Sequence, residues 1–342
     1  MNIGIVIIGR NEGQRLKNCL SSLLTEIGSQ NEHHFRLVYV DSGSTDGSLE
    51  FVQTLGIEIV NLDLREKFTA ARARNAGAEK LLALNPHLEY IQFIDGDCQI
   101  VSGWLNIAGE TLKTHPQIAV VCGRRCELFP DKSIYNLLCN LEWNTPIGEA
   151  KACGGDAMMR VKAFQEVGGF NPLLIAGEEP ELCLRLRQQG WQIWRIDHDM
   201  TLHDANMTQF SQWWKRNFRA GFAFAEGSWL HGKSEEKHWV KESRSIWLWG
   251  LVIPLVAIAL IIPSRGWSLS CVFLYPLLGY KIYVYQKRQG YQRKEAFWYS
   301  FFCVLGKFPQ LLGQLNFQRL RLLKQQASLV EYKSNSNQTI TD

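Results

Sequence analysis

The chain has 342 residues, 46% hydrophobic and 20% charged, with 28 glycines and 10 prolines, which leaves room for two domains or one large one. That composition excludes an acidic disordered tail, a collagen-like repeat and a low-complexity chain. A formal charge of +4 is too small to argue for nucleic acid as a partner. Residues 3–8 form a β-rich run, followed by the turn residues Asn11-Glu12-Gly13 and a helical pattern at Leu16, Leu20, Leu23 and Leu24. A second strand at 35–40 ends in Asp41-Ser42-Gly43-Ser44-Thr45-Asp46-Gly47, a helix runs through Leu49 and Val52, and a third strand occupies 57–60. The Ala- and Leu-rich stretch 69–84 predicts a helix, and a strand at 90–94 ends in Asp95-Gly96-Asp97. Short strands alternating with longer helices predict an α/β fold with a largely parallel sheet, whose ligands gather at the carboxyl ends of the strands.

Residues 126–240 are less regular and include Gly154-Gly155-Asp156, Gly168-Gly169-Phe170 and a helix at 181–189 that closes at Gly190. Three apolar segments follow. Residues 246–262 carry no charge, 267–285 carry only Lys281, and 296–315 are interrupted by Lys307 and Pro309. The first two are long enough to span ~30 Å of hydrocarbon. Lys237, Lys241 and Arg244 before them, and Lys287, Arg288, Arg293 and Lys294 after them, put both flanks on the cytoplasmic side. A hairpin over 246–285 with an outer turn at 263–266 satisfies both constraints. A third span would carry Arg319, Arg321 and Lys324 outside, so 296–315 reads as interfacial or re-entrant. From residue 281 onward ten Lys/Arg stand against three Asp/Glu, and eight of the twelve tryptophans follow residue 210, as at an anionic membrane surface. The expected organisation is a first domain over 1–240, membrane-associated helices over 241–325 and a disordered polar tail over 326–342. A buried helical subdomain of a soluble enzyme is the alternative. Nine cysteines without a CxxC pair, and no basic leader before residue 3, place the first domain in the cytosol with reduced thiols.

Five clusters carry chemistry. Asp95 and Asp97 flank a glycine just past a strand, where two carboxylates converging on one point would hold a hard divalent cation; a solvated turn has the same pattern. Asp41 opens an acidic, hydroxyl-rich loop and could accept from a nucleotide base or ribose, while Ser44, Thr45 and Asp46 are explained by helix capping. Arg72 and Arg74 lie on a small-residue helix that could approach a diphosphate or simply face solvent. Glu178 and Glu179 precede Pro180 at a helix start, fit for a general base or for the helix dipole. His203, in Met200-Thr201-Leu202-His203-Asp204, could complete a metal site or be structural.

The order and spacing of these clusters resemble the family 2 glycosyltransferases of GT-A fold over roughly residues 3–205. The run from Gly177 to Cys183, Met200–His203–Asp204, Gln212-Trp213-Trp214-Lys215-Arg216 and Arg219-Ala220-Gly221 further resemble the membrane-attached bacterial exopolysaccharide branch. The resemblance implies a Rossmann-like, mostly parallel nucleotide-diphospho-sugar transferase domain with a C-terminal helical membrane-associated region. Ile8, Gly9 and Glu12 match its first nucleotide-contacting loop, Asp41 the acid that reads the base, usually uracil, and Arg74 a diphosphate-side contact. Asp95 matches the residue on the donor's ribose or sugar, Asp97 the ligand of Mn²⁺ or Mg²⁺, with Asp95 beside it and His203 joining in some relatives. Glu179 matches the base that deprotonates the acceptor hydroxyl. Most relatives have Glu-Asp there, so Glu178 is a possible substitute. Gln209 and Gln212 lack the Gln-x-x-Arg-Trp pattern of processive synthases.

The expectation is therefore an inverting, non-processive, metal-dependent transferase. It would move a sugar from a nucleotide-diphosphate donor, with UDP-sugars first, to a lipid-linked saccharide or other membrane acceptor at the cytoplasmic face of the inner membrane. A polyprenyl phosphate or glycolipid is the alternative acceptor, and a catalytically silent membrane adaptor the alternative class. Trp213, Trp214 and Trp229 would stack on a sugar, sit at the interface or pack a core.

Overall fold

A computed structural model describes residues 1–30, 33–66 and 68–325, so the tail expected over 326–342 lies outside the described residues. By its contacts the chain divides into two units: Met1–Phe129 with Glu142–Ala205, and Pro130–Leu141 with the described residues from Asn206 onward. The division falls at 205 and not at 240, because helix Phe210–His231 takes its packing from helix Lys307–Leu322.

The first unit runs β1 (Asn2–Gly9), α1 (Gln14–Gly28), β2 (His34–Asp41), α2 (Ser48–Thr54), β3 (Glu58–Asn61), α3 (Ala70–Leu84), β4 (Tyr90–Asp95), β5 (Cys98–Ile100), α4 (Trp104–Thr114) and β6 (Ile118–Glu127). After α5 (Ile134–Trp143), most of which belongs to the second unit, come β7 (Gly148–Glu149), β8 (Ala157–Arg160), α6 (Val161–Glu166), α7 (Glu178–Gln188) and β9 (Gln192–His203). The sheet order is β3-β2-β1-β4-β8-β6-β9-β5, with β7 paired to β9. The first four strands are parallel, as is β6 with β9, whereas β8 runs antiparallel between β4 and β6, and β5 and β7 run antiparallel to β9. This is the expected α/β architecture, with the parallel character concentrated in the first half.

The local reasons are in the sequence. Ile3, Ile5, Val6 and Ile7 of β1 are wholly buried, which is why this strand reads as a continuous apolar run and not an alternation. Leu16, Leu20 and Leu23 turn α1 onto the sheet, while Leu24 stays 42% exposed. Thr69 caps α3, its Oγ1 accepting the Arg72 N–H at 3.1 Å. A Cβ at Gly77 would run into Val6 and Val40, so this glycine sets how closely α3 lies on β1 and β2. Trp104 is buried because its Nε1–H donates to Gln92 Oε1 at 2.8 Å inside the core.

In the second unit, helix Phe210–His231 starts with a capping box made by Gln209 and Gln212, the two glutamines noted in the sequence. It crosses helix Lys307–Leu322 at closest backbone approach, where a Cβ on Gly221 would meet the Gln310 backbone and a Cβ on Gly313 the Phe218 backbone. Trp213 is a core residue, 4.9 Å from the Phe302 ring, whereas Trp229 is 62% exposed beneath the Arg321 guanidinium at 3.9 Å.

Helix Val240–Ala259, 20 residues, is the only helix among the described residues long and apolar enough to cross a membrane by length and composition. It widens into a π-turn at Leu248–Val252 just ahead of Pro254, whose missing N–H frees a carbonyl there. The second apolar segment is a 3₁₀ stretch, Trp267–Phe273, followed by helix Leu274–Arg288 with Pro276 in its first turn. The third breaks at Gly306 into helices Arg293–Leu305 and Lys307–Leu322. Ile262, Trp267 and Phe273 are 89%, 80% and 72% exposed.

Gly77→Val is expected to overpack the α3 contact on Val6 and Val40 and lower unfolding free energy by about 1–3 kcal/mol, read by urea denaturation followed by Trp fluorescence.

Candidate active site

The carboxyl ends of β1, β2 and β4 lie side by side, with Gly9 opposite Asp41 and Ile8 opposite Asp95. The loops that leave them are tied together. Ser44 Oγ accepts the Asn11 N–H at 3.0 Å, Asn11 Oδ1 accepts the Thr45 N–H at 2.7 Å, and Ser48 Oγ accepts the Gly13 N–H at 3.1 Å. Ser44 and Thr45 therefore bind the first loop, and α2 begins after Gly47 at φ 83° instead of at a hydroxyl cap. Asp41 Oδ2 accepts from the Gly43 and Ser44 amides, both at 2.8 Å, and Oδ1 from the Tyr39 hydroxyl at 3.1 Å. A carboxylate has about four acceptor sites, so one remains for a donor in the loop's mouth. Glu12, across the loop, pairs with Arg15 at 2.8 Å.

Arg74 is the hub of the charged site. It is 2% exposed, and its Nη2 lies 2.8 Å from Asp95 Oδ1 while Nη1 lies 3.0 Å from Glu178 Oε1 and 3.4 Å from Glu179 Oε1. Its face rests over the Phe170 ring at 5.6 Å. Burial opposes its charge, but Asp95, Glu179 and Glu178 together outweigh burial and hold the guanidinium's pKa above its ordinary value. The diphosphate-side arginine read from the sequence is thus already engaged by three acids. The two glutamates differ. Glu178 is the closer and more buried, its side chain 7% exposed against 17% for Glu179. Burial, then Glu178 beside it, push the Glu179 carboxyl up to about 7 against the pull of Arg74. Gly155 passes so close that a Cβ there would strike Arg74 and stand 2.8 Å from Asp95 Oδ2 and 3.2 Å from Glu179 Oε1. Its missing side chain keeps the space between these two acids open.

Asp95 and Asp97 fall into two separate groups. Asp97, Cys98 and His203 place ligand atoms within 4.8 Å of one another, and so do Asp95, Cys98 and Asp156. In the first, Asp97 Oδ2 lies 3.3 Å from His203 Nε2, both residues about 95% buried, and the Trp143 ring meets the imidazole edge-on at 4.7 Å. Burial, and Asp156 next, push the Cys98 thiol well up, so it stays protonated and is a poor ligand. A carboxylate and an imidazole suit Mn²⁺ or Mg²⁺ completed by phosphate oxygens and water. Asp95 is instead held by arginines from both sides, with Arg125 Nη2 at 3.5 Å from its other oxygen. The residues present fit a metal at Asp97 and His203.

Four residues without an assigned role in the sequence reading belong to this site. Asp156, wholly buried, accepts the Asp95 N–H at 2.9 Å, the Thr201 hydroxyl at 2.7 Å and Arg125 Nη2 at 2.9 Å. Glu127 accepts the Ala205 N–H at 3.1 Å and lies 4.0 Å from His203 Nδ1. The Gly154-Gly155-Asp156 triplet was the visible signal. Nothing in the sequence ties Arg125, Glu127 or Thr201 to it, because they arrive on β6 and β9 from far along the chain.

Residues 4–168 match the model of Glycosyl transferase family 2. The chain is 26% identical over 204 residues to the succinoglycan biosynthesis protein ExoA of Rhizobium meliloti, covering 56% of this chain and 60% of that one. It is 23% identical over 228 residues to the glycosyltransferase AglE of Haloferax volcanii, covering 64% and 71%. Thus the chain spans about three fifths of ExoA's length. Among solved structures, a Pyrobaculum calidifontis mannosyltransferase, PcManGT, in complex with GDP-Man and Mn²⁺, shares the fold at TM-score 0.58 and 16% identity, covering 92% of this chain and 86% of that one.

Arg74→Ala removes the common partner of Asp95, Glu178 and Glu179, and is expected to cost about 3–5 kcal/mol of unfolding free energy. Arg74→Lys should recover part of it in the same denaturation experiment, since a point charge reaches fewer of the acids.

Proposed function

This chain belongs to glycosyl transferase family 2, and from that premise we propose that it is an inverting, non-processive transferase. It moves a sugar from a nucleotide-diphosphate donor, a UDP-sugar foremost, to a hydroxyl of a lipid-linked saccharide at the cytoplasmic face of the membrane, in exopolysaccharide or cell-envelope glycan synthesis. The observation that carries the reaction is the pairing of Glu179, a carboxyl pushed up to about 7, with Asp95 across the gap left by Gly155.

In this reading Glu179 accepts the acceptor proton as the hydroxyl attacks the anomeric carbon opposite the leaving group. Its raised pKa makes it a stronger base than an ordinary carboxylate, and its wider exposure supports Glu179 over Glu178 as the base. Glu178 stays on Arg74 and fixes the start of α7. Asp41 and the Ile8–Gly9 backbone with Glu12 receive the nucleotide, Asp95 the sugar or ribose, and Arg74 keeps Asp95 and Glu179 at one point. Asp97 and His203 would hold Mn²⁺ or Mg²⁺, which when bound neutralises charge growing on the departing diphosphate. Membrane attachment is supported by helix Val240–Ala259, by the exposed Ile262, Trp267 and Phe273, and by the basic residues around them. Likeness to a succinoglycan biosynthesis protein supports the exopolysaccharide setting.

Detergent-purified protein with membrane lipid extract as acceptor should release nucleotide from one member of a panel of UDP-, GDP- and dTDP-sugars. Release should require Mn²⁺ or Mg²⁺ and disappear in Asp97→Ala; release from no donor, with no nucleotide bound in the presence of metal, would leave the adaptor reading standing. Glu179→Gln is expected to lower kcat by about 10²–10⁴ with donor affinity retained, measured by the same release assay. Because Glu179 must be ionised to take a proton, kcat should rise with pH through about 7, and Glu179→Gln should flatten that limb.

A further inference from the structure

Gly168-Gly169-Phe170 has no part in the reaction as described, yet it opens the stretch between α6 and α7 that ends at Gly177, just before Glu178 and Glu179. Gly168 and Gly169 both stand at positive φ, 74° and 72°, so the chain turns sharply there. Asn75 of α3 grips the next residue by its backbone. Its Nδ2–H donates to Phe170 O at 2.8 Å, and its Oδ1 accepts the Phe170 N–H at 2.9 Å. One amide side chain thus satisfies both backbone groups of one residue, as a neighbouring strand would. Further along, the Thr69 hydroxyl donates to Pro172 O at 3.2 Å. From the other side Arg185 of α7, paired with Glu181 at 2.8 Å, donates to the carbonyls of Val167 and Gly169. The stretch is tied to α3 at two places and to α7 where it begins.

Asn75 follows Arg74 directly on α3. The helix that delivers the guanidinium therefore also holds the ring that lies against it, with Arg74 Cζ 5.6 Å from the Phe170 centroid. Phe170 is 1% exposed and meets Phe93 edge-on at 5.3 Å, so its ring and its backbone are both fixed. From there the chain runs on to the two glutamates. The 3.4 Å separation of Arg74 and Glu179 is thus governed from one helix, which places Arg74 directly and Glu179 through the stretch that Asn75 holds. We propose that Asn75 is a positioning residue for the transfer: by gripping Phe170 it sets where Glu179 stands relative to Arg74. This rests on the reading of Glu179 as the base.

The test is a double-mutant cycle in the nucleotide-release assay, run with Mn²⁺ and the donor that the sugar-nucleotide panel identifies. Asn75→Ala removes both bonds to Phe170. It should lower kcat by about tenfold or more while the donor KM stays within about twofold. In the Glu179→Gln background no base is left to place, and there the same substitution should change kcat by less than about twofold. A loss of folded enzyme would instead lower kcat by one factor in both backgrounds. That result, an unchanged kcat, or a donor KM raised as far as kcat falls would each overturn the positioning role. If Asn75→Ala fails to fold by thermal denaturation, Asn75→Asp takes its place. It keeps the acceptor for the Phe170 N–H and loses the donor to Phe170 O, so it should give a smaller loss of kcat that again vanishes beside Glu179→Gln; a loss that persists there would overturn the role. A Glu179→Gln variant with wild-type kcat would overturn the base reading, and release from no donor the transferase reading, each taking the positioning role with it.

Discussion

The first unit depends on one guanidinium. Arg74 comes from α3, Asp95 from the end of β4, and Glu178 and Glu179 from the start of α7, so a single side chain gathers three acids from two other elements. Without it, three carboxylates this close and this buried would repel one another and draw in water or protons. With it, they can be kept together while one of them, Glu179, still has its pKa raised into the neutral range. Thr69 at the cap of α3 and Gly77 on its inner face hold the helix that delivers Arg74, which links core packing to the chemistry of the site.

Much of this was legible in the chain. The continuous apolar run at 3–8 has no alternation because both faces of β1 are covered, and the turn clusters after β1, β2 and β4 sit at the strand ends where the sheet gathers them. The identities of Asp41, Arg74, Asp95, Asp97, Glu178, Glu179 and His203 could be read off, but not who meets whom. Asp95 and Asp97 were expected to share one point, yet in a turn their side chains leave in different directions, one to Arg74 and the other to His203. The meeting of Arg125 and Thr201 with Asp156 left no local trace, since it is made by strand order and not by sequence spacing.

The second unit was read correctly as apolar and less well as regular. Hydropathy counts residues and ignores where a helix can continue. Pro276 sits in the first turn of its helix and Gly306 separates the last two helices, so among the described residues one long apolar helix emerges where three long segments stood in the sequence. The Arg219-Ala220-Gly221 run, noticed as a family likeness, has a packing cause: Gly221 is where two helix backbones meet.

The backbone bonds around the site also fix a length. Asp41 stands opposite Gly9, Asp95 stands opposite Ile8, and Gly96 N–H returns to Ile8 O at 2.8 Å. The two acids are thus two strand spacings apart, about 10 Å, a span set by peptide hydrogen bonds alone. Side-chain changes in the surrounding loops can alter which groups are recognised at either end. They leave the separation itself untouched, so the sheet acts as a fixed gauge against which any molecule reaching from one acid to the other is measured.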